Sequence, residues 1–207
     1  IRQTNVVAQE HGGITQHISA YEAMHKTKDG KETKITFLDT PGHAAFSKMR
    51  AHGATVADVA ILVVSAEDGV KAQTIEAAKA IKSAGIPYVV AINKIDKPNA
   101  DQEKIKRELS ENEIYLEGYG GDIPCAAISA KTGEGVSELL DLIILVSEIA
   151  NLTGDPASSA EGFVIESHRD PKRGVSASLV ITNGTLRKGM FICAGSALTP
   201  VRAIQNA

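Results

Sequence analysis

The chain has 207 residues, 43% hydrophobic and 23% charged, with four Phe, four Tyr and no Trp. That suits one ordinary globular domain plus a smaller second one and excludes disordered, collagen-like and disulfide-knotted proteins. The net charge of −3 excludes a protein that coats nucleic acid by bulk electrostatics and leaves only local contacts with RNA. The longest apolar runs, Val59–Val64 and Leu139–Val146, fall far short of the ~20 residues that span a bilayer, so no membrane partner is expected. No secretory leader opens the chain, and Ile1-Arg2-Gln3-Thr4 reads as the middle of a domain. Cys125 and Cys193 lie far apart in apolar runs, which reads as two core thiols in a reducing compartment.

His17–His25 and Lys34–Asp39 read as the arms of a hairpin, with Asp29-Gly30 between them favouring a two-residue turn. The period then changes. Asp58–Ala66 is a continuous β-branched run, the pattern of a strand covered on both faces. Ala72–Ala84 follows with helical spacing of Ile75, Ala78 and Ile81, and Gly85 stands where a C-cap glycine belongs. The unit repeats: strand Pro87–Asn93, a charged helix from Ala100 to about Asn112 capped by Asn99, strand Ile123–Ser129, and an apolar helix Val136–Asn151. Strands alternating with helices predict an α/β fold with a mostly parallel sheet and helices on both faces. Ligands of such sheets bind beyond the carboxyl ends of the strands. From Leu152 to Ala160 the composition turns small and polar, as in a linker. Beyond it Phe163–Ser167, Ser176–Thr182 and Met190–Ala194, punctuated by Asn183-Gly184 and Lys188-Gly189, suggest part of a small β-barrel. The expected boundaries are 1–152 for the α/β domain, 153–161 for the linker and 162–207 for the start of the barrel.

Three short motifs fall at strand ends. Asp39-Thr40-Pro41-Gly42 supplies a carboxylate that can hold Mg²⁺ through water and a glycine whose N–H a terminal phosphate can approach. In Asn93-Lys94-Ile95-Asp96, the Asp96 carboxylate can accept hydrogen bonds from N1–H and the exocyclic amine of guanine. Adenine offers no such donor pair, so a buried charge left unpaired would reject it. Asn93 can bridge to the other edge of the base, and the stem of Lys94 can lie along the ring. Ser129-Ala130-Lys131 offers backbone N–H groups to guanine O6. Singly these motifs are weak; in this order, at these strand ends, they have the spacing of a GTP-binding domain.

Four segments carry a resemblance: Gly12-Gly13-Ile14-Thr15-Gln16-His17-Ile18, Asp39 to Phe46, Asn93 to Asp101, and Ser129-Ala130-Lys131 with the Gly133-Glu134-Gly135 helix start. On these, residues 1–207 resemble the GTP-binding domain and the start of the following barrel of bacterial-type translation initiation factor two, a translational GTPase. Asn183-Gly184-Thr185-Leu186 and Ala194-Gly195-Ser196-Ala197 agree with that barrel. The resemblance implies a P-loop-GTPase-like fold, GTP/GDP and Mg²⁺ as ligands, and the ribosome, its rRNA and proteins, as partner. It further implies initiator-tRNA placement and subunit joining, with initiator tRNA reached only through other parts of the parent. Thr15 would meet Mg²⁺ and the γ-phosphate, Gly13 and Ile14 would belong to the switch and apolar gate, and Asp39 would hold Mg²⁺ through water. Gly42 N–H would sense the γ-phosphate, and His43 would position the attacking water once the ribosome reorients it. His11, His17, His25, His52 and His168 lack metal-ligand spacing and read as surface or packing residues. Cytoplasm is the default location, with an organellar matrix as the alternative.

The chain departs from the family in two places. Gly-x-x-x-x-Gly-Lys-Ser/Thr, the phosphate-binding loop, does not occur; in the family it lies upstream of the position matching Ile1, with the first strand. These residues by themselves are therefore expected to bind GTP poorly and not to hydrolyse it. Gly69-Val70-Lys71-Ala72-Gln73 stands where the family usually has Met-Pro before Gln. Two other readings compete: another translational GTPase, and a non-catalytic ribosome-binding module with a degenerate nucleotide site. The Gly-Gly-Ile-Thr-Gln-His run opposes the first, and the joint retention of Asp39, His43 and Asp96 opposes the second.

Overall fold

An apolar strand sits at the centre of the described α/β unit. Val89, Val90, Ala91 and Ile92 have no exposed surface, because their strand, β4 (Tyr88–Asn93), lies between two others with both faces covered. Its neighbours are β3 (Ala60–Ser65) and β5 (Cys125–Ala127), both parallel to it. The computed structural model describes residues 18–42, 46–170 and 174–205. The expected roles of Gly13, Ile14, Thr15 and His43 fall outside them.

Alternate residues of the strands feed two cores. On one side Leu62, Val64, Val90 and Ile92 pack with Ala78 and Ile81 of α2 (Ala72–Ala84) and Ile105 and Leu109 of α3 (Gln102–Glu111). On the other, Val89, Ala91 and Ala126 pack with Leu139, Leu140, Ile143 and Val146 of α4 (Val136–Ile149). The expected parallel sheet with helices on both faces is present. Gly85 ends α2 in the left-handed conformation at φ 69°, its N–H reaching the carbonyls of Ile81 and Lys82.

The hairpin is formed by β1 (Ser19–Lys26) and β2 (Glu32–Asp39), in register from Ser19↔Asp39 to Lys26↔Glu32. Its connection is not the expected two-residue turn. Pairing stops at Lys26↔Glu32, and Thr27–Lys31 forms a longer loop closed by Thr27 N–H on the Lys31 carbonyl and Gly30 N–H on that of Thr27. Ile35 and Phe37 of β2 pack against the α4-side core. His25, expected as a surface or packing residue, is buried and lies 2.8 Å from Asp141 Oδ1 of α4. At the edge of the parallel sheet Val63 of β3 is 55% exposed.

Two other expectations need correction. Asn99 does not cap the third helix: Lys94 to Ala100 are drawn into turns, Lys97 N–H on the Lys94 carbonyl and Ala100 N–H on that of Lys97. The helix starts only at Gln102, and Asp101 caps it by accepting from Lys104 N–H at 2.9 Å. A helix not anticipated, α1 (Ser47–Val56), follows the Asp39–Gly42 segment. With Gly53, Thr55 and Val56 in its last turn and no side-chain cap, its own propensity is weak.

Contacts divide the chain into two units, Ile1–Leu152 and Thr153–Ala207. The second holds two antiparallel pairs, β6 (Glu161–Asp170) with β7 (Gly174–Asn183) and β8 (Phe191–Ala194) with β9 (Ala197–Pro200). Cys125 is partly buried against the α2–α3 core, and burial pushes its thiol up to about 11. Cys193, expected in a core, is exposed on β8.

Candidate functional site

Two of the three motifs meet at the carboxyl ends of β4 and β5. The chain leaves β4 at Asn93 and turns through Lys94, whose φ of 67° is in the left-handed region that non-glycine residues rarely adopt. Asn93 makes that turn tenable: its Oδ1 accepts Lys94 N–H at 2.7 Å and Ala130 N–H at 3.0 Å. One side-chain oxygen thus ties the end of β4 to the loop after β5. The Ile95 N–H to Ile128 carbonyl bond adds a second tie. The Ala130 N–H, considered above as a donor to a base, is engaged by Asn93 in this arrangement.

Ser129 is fully buried and works as a hub. Its Oγ donates to Asp96 Oδ1 at 2.7 Å and accepts from Thr132 N–H at 3.1 Å. Its backbone N–H reaches the Glu134 carbonyl, and its carbonyl accepts Gly133 N–H, which closes the loop onto the start of α4. Only glycine can sit at 135: φ is 70°, and a Cβ there would lie 2.1 Å from the Ala127 carbonyl oxygen. Asp96 itself is exposed. The bond from Ser129 foremost, then its own backbone amide and the nearby Lys131 and Lys97, hold its carboxyl below the ordinary value, outweighing partial desolvation. The result is a fixed, ionised acceptor with its approach open to solvent.

Lys94 Nζ pairs with Asp68 Oδ2 at 2.7 Å, beyond the end of β3, where Asp68 N–H is held by Ser65 Oγ. The pair raises the Lys94 ammonium and lowers the Asp68 carboxyl, each by the hydrogen bond between them. With both side chains 44–49% exposed the pair adds little stability. Its effect is to aim the lysine stem. Asp68 was not among the expected site residues, although its position past a strand end, next to Gly69, could have suggested it.

The third motif lies at the end of β2. Asp39 is exposed, Pro41 is buried, and Gly42 is exposed with open space where a Cβ would point. Arg50 of α1 donates from Nη1 to the Pro41 carbonyl at 2.9 Å and from Nη2 to Glu76 Oε1 of α2 at 2.8 Å. Thr40 packs its methyl on α1 at Gly53, where a Cβ would come within 2.9 Å. The structure thus brings Asn93, Lys94, Asp96, Ser129, Ala130 and Lys131 into one cluster and sets Asp39–Gly42 on α1.

Comparison with known proteins gives this geometry a context. Residues 3–148 match the family model of the elongation factor Tu GTP binding domain, and residues 159–207 match that of elongation factor G domain 2. Translation initiation factor IF-2 of Persephonella marina is 56% identical over 204 residues, covering 99% of this chain and 23% of that protein. The chain spans less than a third of the length of this and the Rubrobacter xylanophilus relative, of which it covers 29%. Among solved structures, the bacterial selenocysteine-specific elongation factor EF-Sec aligns with a TM-score of 0.68 at 25% identity, over 92% of this chain and 32% of that one. GDP-bound aIF5B from Aeropyrum pernix aligns with a TM-score of 0.62 at 32% identity, over 92% and 40%.

Proposed function

The chain belongs to the family of the elongation factor Tu GTP binding domain, and from that premise we propose that it is the GTP-binding and GTP-hydrolysing core of a translation initiation factor. The observation that carries the reading is the network in which Asn93 braces the turn after β4 and buried Ser129 presents the ionised Asp96. These residues fit a guanine nucleotide. Asp96 would take N1–H and the exocyclic amine of the base, and Lys94, aimed by Asp68, would lie along the ring. Ser129, Ala130 and Lys131 would shape the O6 side. In this reading residues 1–152 are the nucleotide domain, 153–161 a linker and 162–207 the start of a barrel domain.

The phosphate end falls to Asp39–Gly42, with Asp39 holding Mg²⁺ through water, which suits an exposed carboxylate at a strand end. Mg²⁺, where bound, neutralises charge on the phosphates. Thr15 would add a ligand, Gly13 and Ile14 would form the gate, and His43 would orient the water. Hydrolysis is mainly a matter of positioning, so a histidine held away from the water keeps the free protein slow and lets the ribosome act as trigger. Initiator-tRNA placement and subunit joining would be functions of the parent protein, in the cytoplasm. The 207 residues lack the Gly-x-x-x-x-Gly-Lys-Ser/Thr string, so by themselves they are expected to bind GTP weakly.

The similarity to initiation factors favours this over other translational GTPases. The test is GTP turnover by the full-length parent with and without assembled ribosomes. Strong stimulation by ribosomes supports the reading. Equal, negligible turnover with ribosome binding retained would leave the non-catalytic module.

A further inference from the structure

Arg50 lies outside every motif singled out in the sequence, yet among the described residues it is the most buried partner of an ion pair, with its side chain 9% exposed. A guanidinium is buried at high desolvation cost unless its donors are used. Nη1 donates to the Pro41 carbonyl and Nη2 to Glu76. The first partner is informative. The carbonyl of Pro41 and the N–H of Gly42 belong to one planar trans peptide unit, so they point in opposite directions. Pinning the carbonyl to α1 therefore turns the Gly42 N–H away from Arg50, and Gly42 is exposed. Rotating that peptide would break a charge-assisted bond.

We propose that Arg50 is a positioning residue that fixes the Pro41–Gly42 peptide in the orientation that donates to a terminal phosphate, with Glu76 as its brace. The chain in effect is α2 to Glu76, Glu76 to Arg50, Arg50 to Pro41, and Pro41 to the Gly42 donor. Thr40, packed on α1 at Gly53, keeps the segment from lifting as a whole. This rests on the reading of Asp39–Gly42 as the γ-phosphate end of the site. It adds a selectivity element: Arg50 acts on GTP and not on GDP, because only GTP has a phosphate for the Gly42 N–H.

That distinction separates positioning from mere support of the fold. In the full-length parent, dissociation constants for GTP and GDP are measured for the wild type, Arg50→Met, Arg50→Lys and Glu76→Gln. Methionine keeps an unbranched apolar stem and removes the donors. Arg50→Met is expected to weaken GTP roughly tenfold while GDP stays within about twofold. Arg50→Lys, which keeps one charged donor, is expected to recover part of the loss, and Glu76→Gln to show a smaller loss of the same kind. Equal weakening of both nucleotides, or no change in either, overturns the proposal. If the wild type binds neither guanine nucleotide, the reading of the site falls, and this inference falls with it.

Discussion

Asp96→Asn in the full-length parent is expected to lower guanine-nucleotide affinity by about 10²–10³-fold: the bond from the exocyclic amine is lost to a facing N–H donor, and the one from N1–H loses its charged acceptor. Affinity for xanthine nucleotides should rise in turn. Xanthine carries a carbonyl where guanine carries the amine, and an amide can donate to it while still accepting from N1–H. The structure adds a reason why this variant should fold. Ser129 Oγ donates to Asp96 Oδ1, and an asparagine oxygen at that place can accept the same bond. Competition of XTP against a labelled guanine nucleotide checks the result. Equal loss for both bases would mean that Asp96 supports the loop without reading the base.

The second large effect concerns the reaction. His43→Ala is expected to leave GTP affinity within about twofold and to reduce ribosome-stimulated hydrolysis by about 10³-fold, the scale of a lost positioned proton-transfer or water-orienting group. His43 follows Gly42 directly in the sequence. The comparison is single-turnover hydrolysis with ribosomes, with nucleotide binding measured on the same sample. Unchanged stimulated hydrolysis would remove His43 from the reaction.

The α/β unit was readable because its signals are local. The β-branched run Asp58–Ala66, the apolar run Pro87–Asn93 and the helical spacing over Ala72–Ala84 each need only their own residues, and the structure places strands at Ala60–Ser65 and Tyr88–Asn93 and a helix at Ala72–Ala84. Asp101 and not Asn99 caps the third helix because Lys94–Ala100 is consumed by turns that begin with a left-handed lysine. Helix α1 went unseen because its propensity is weak, its place being set by packing and by Arg50. At the site, the residues proposed to read a base follow motif spacing, whereas those that hold them do not. Asp68 is 26 residues from Lys94 and Glu76 is 26 from Arg50, and neither pairing has a periodic signature. Asn93 shows the same limit in another way. Besides the base contact expected of it, its oxygen braces Lys94 and Ala130, a role that motif spacing does not reveal.

The most direct measurement is displacement of a fluorescent guanine nucleotide from the full-length parent by GTP, GDP and ATP. The account predicts saturable binding, displacement by GTP and GDP, and no displacement by ATP at a thousandfold excess over GTP, since adenine leaves Asp96 without its donor pair. Displacement by ATP at concentrations similar to GTP, or no saturable binding, would contradict it.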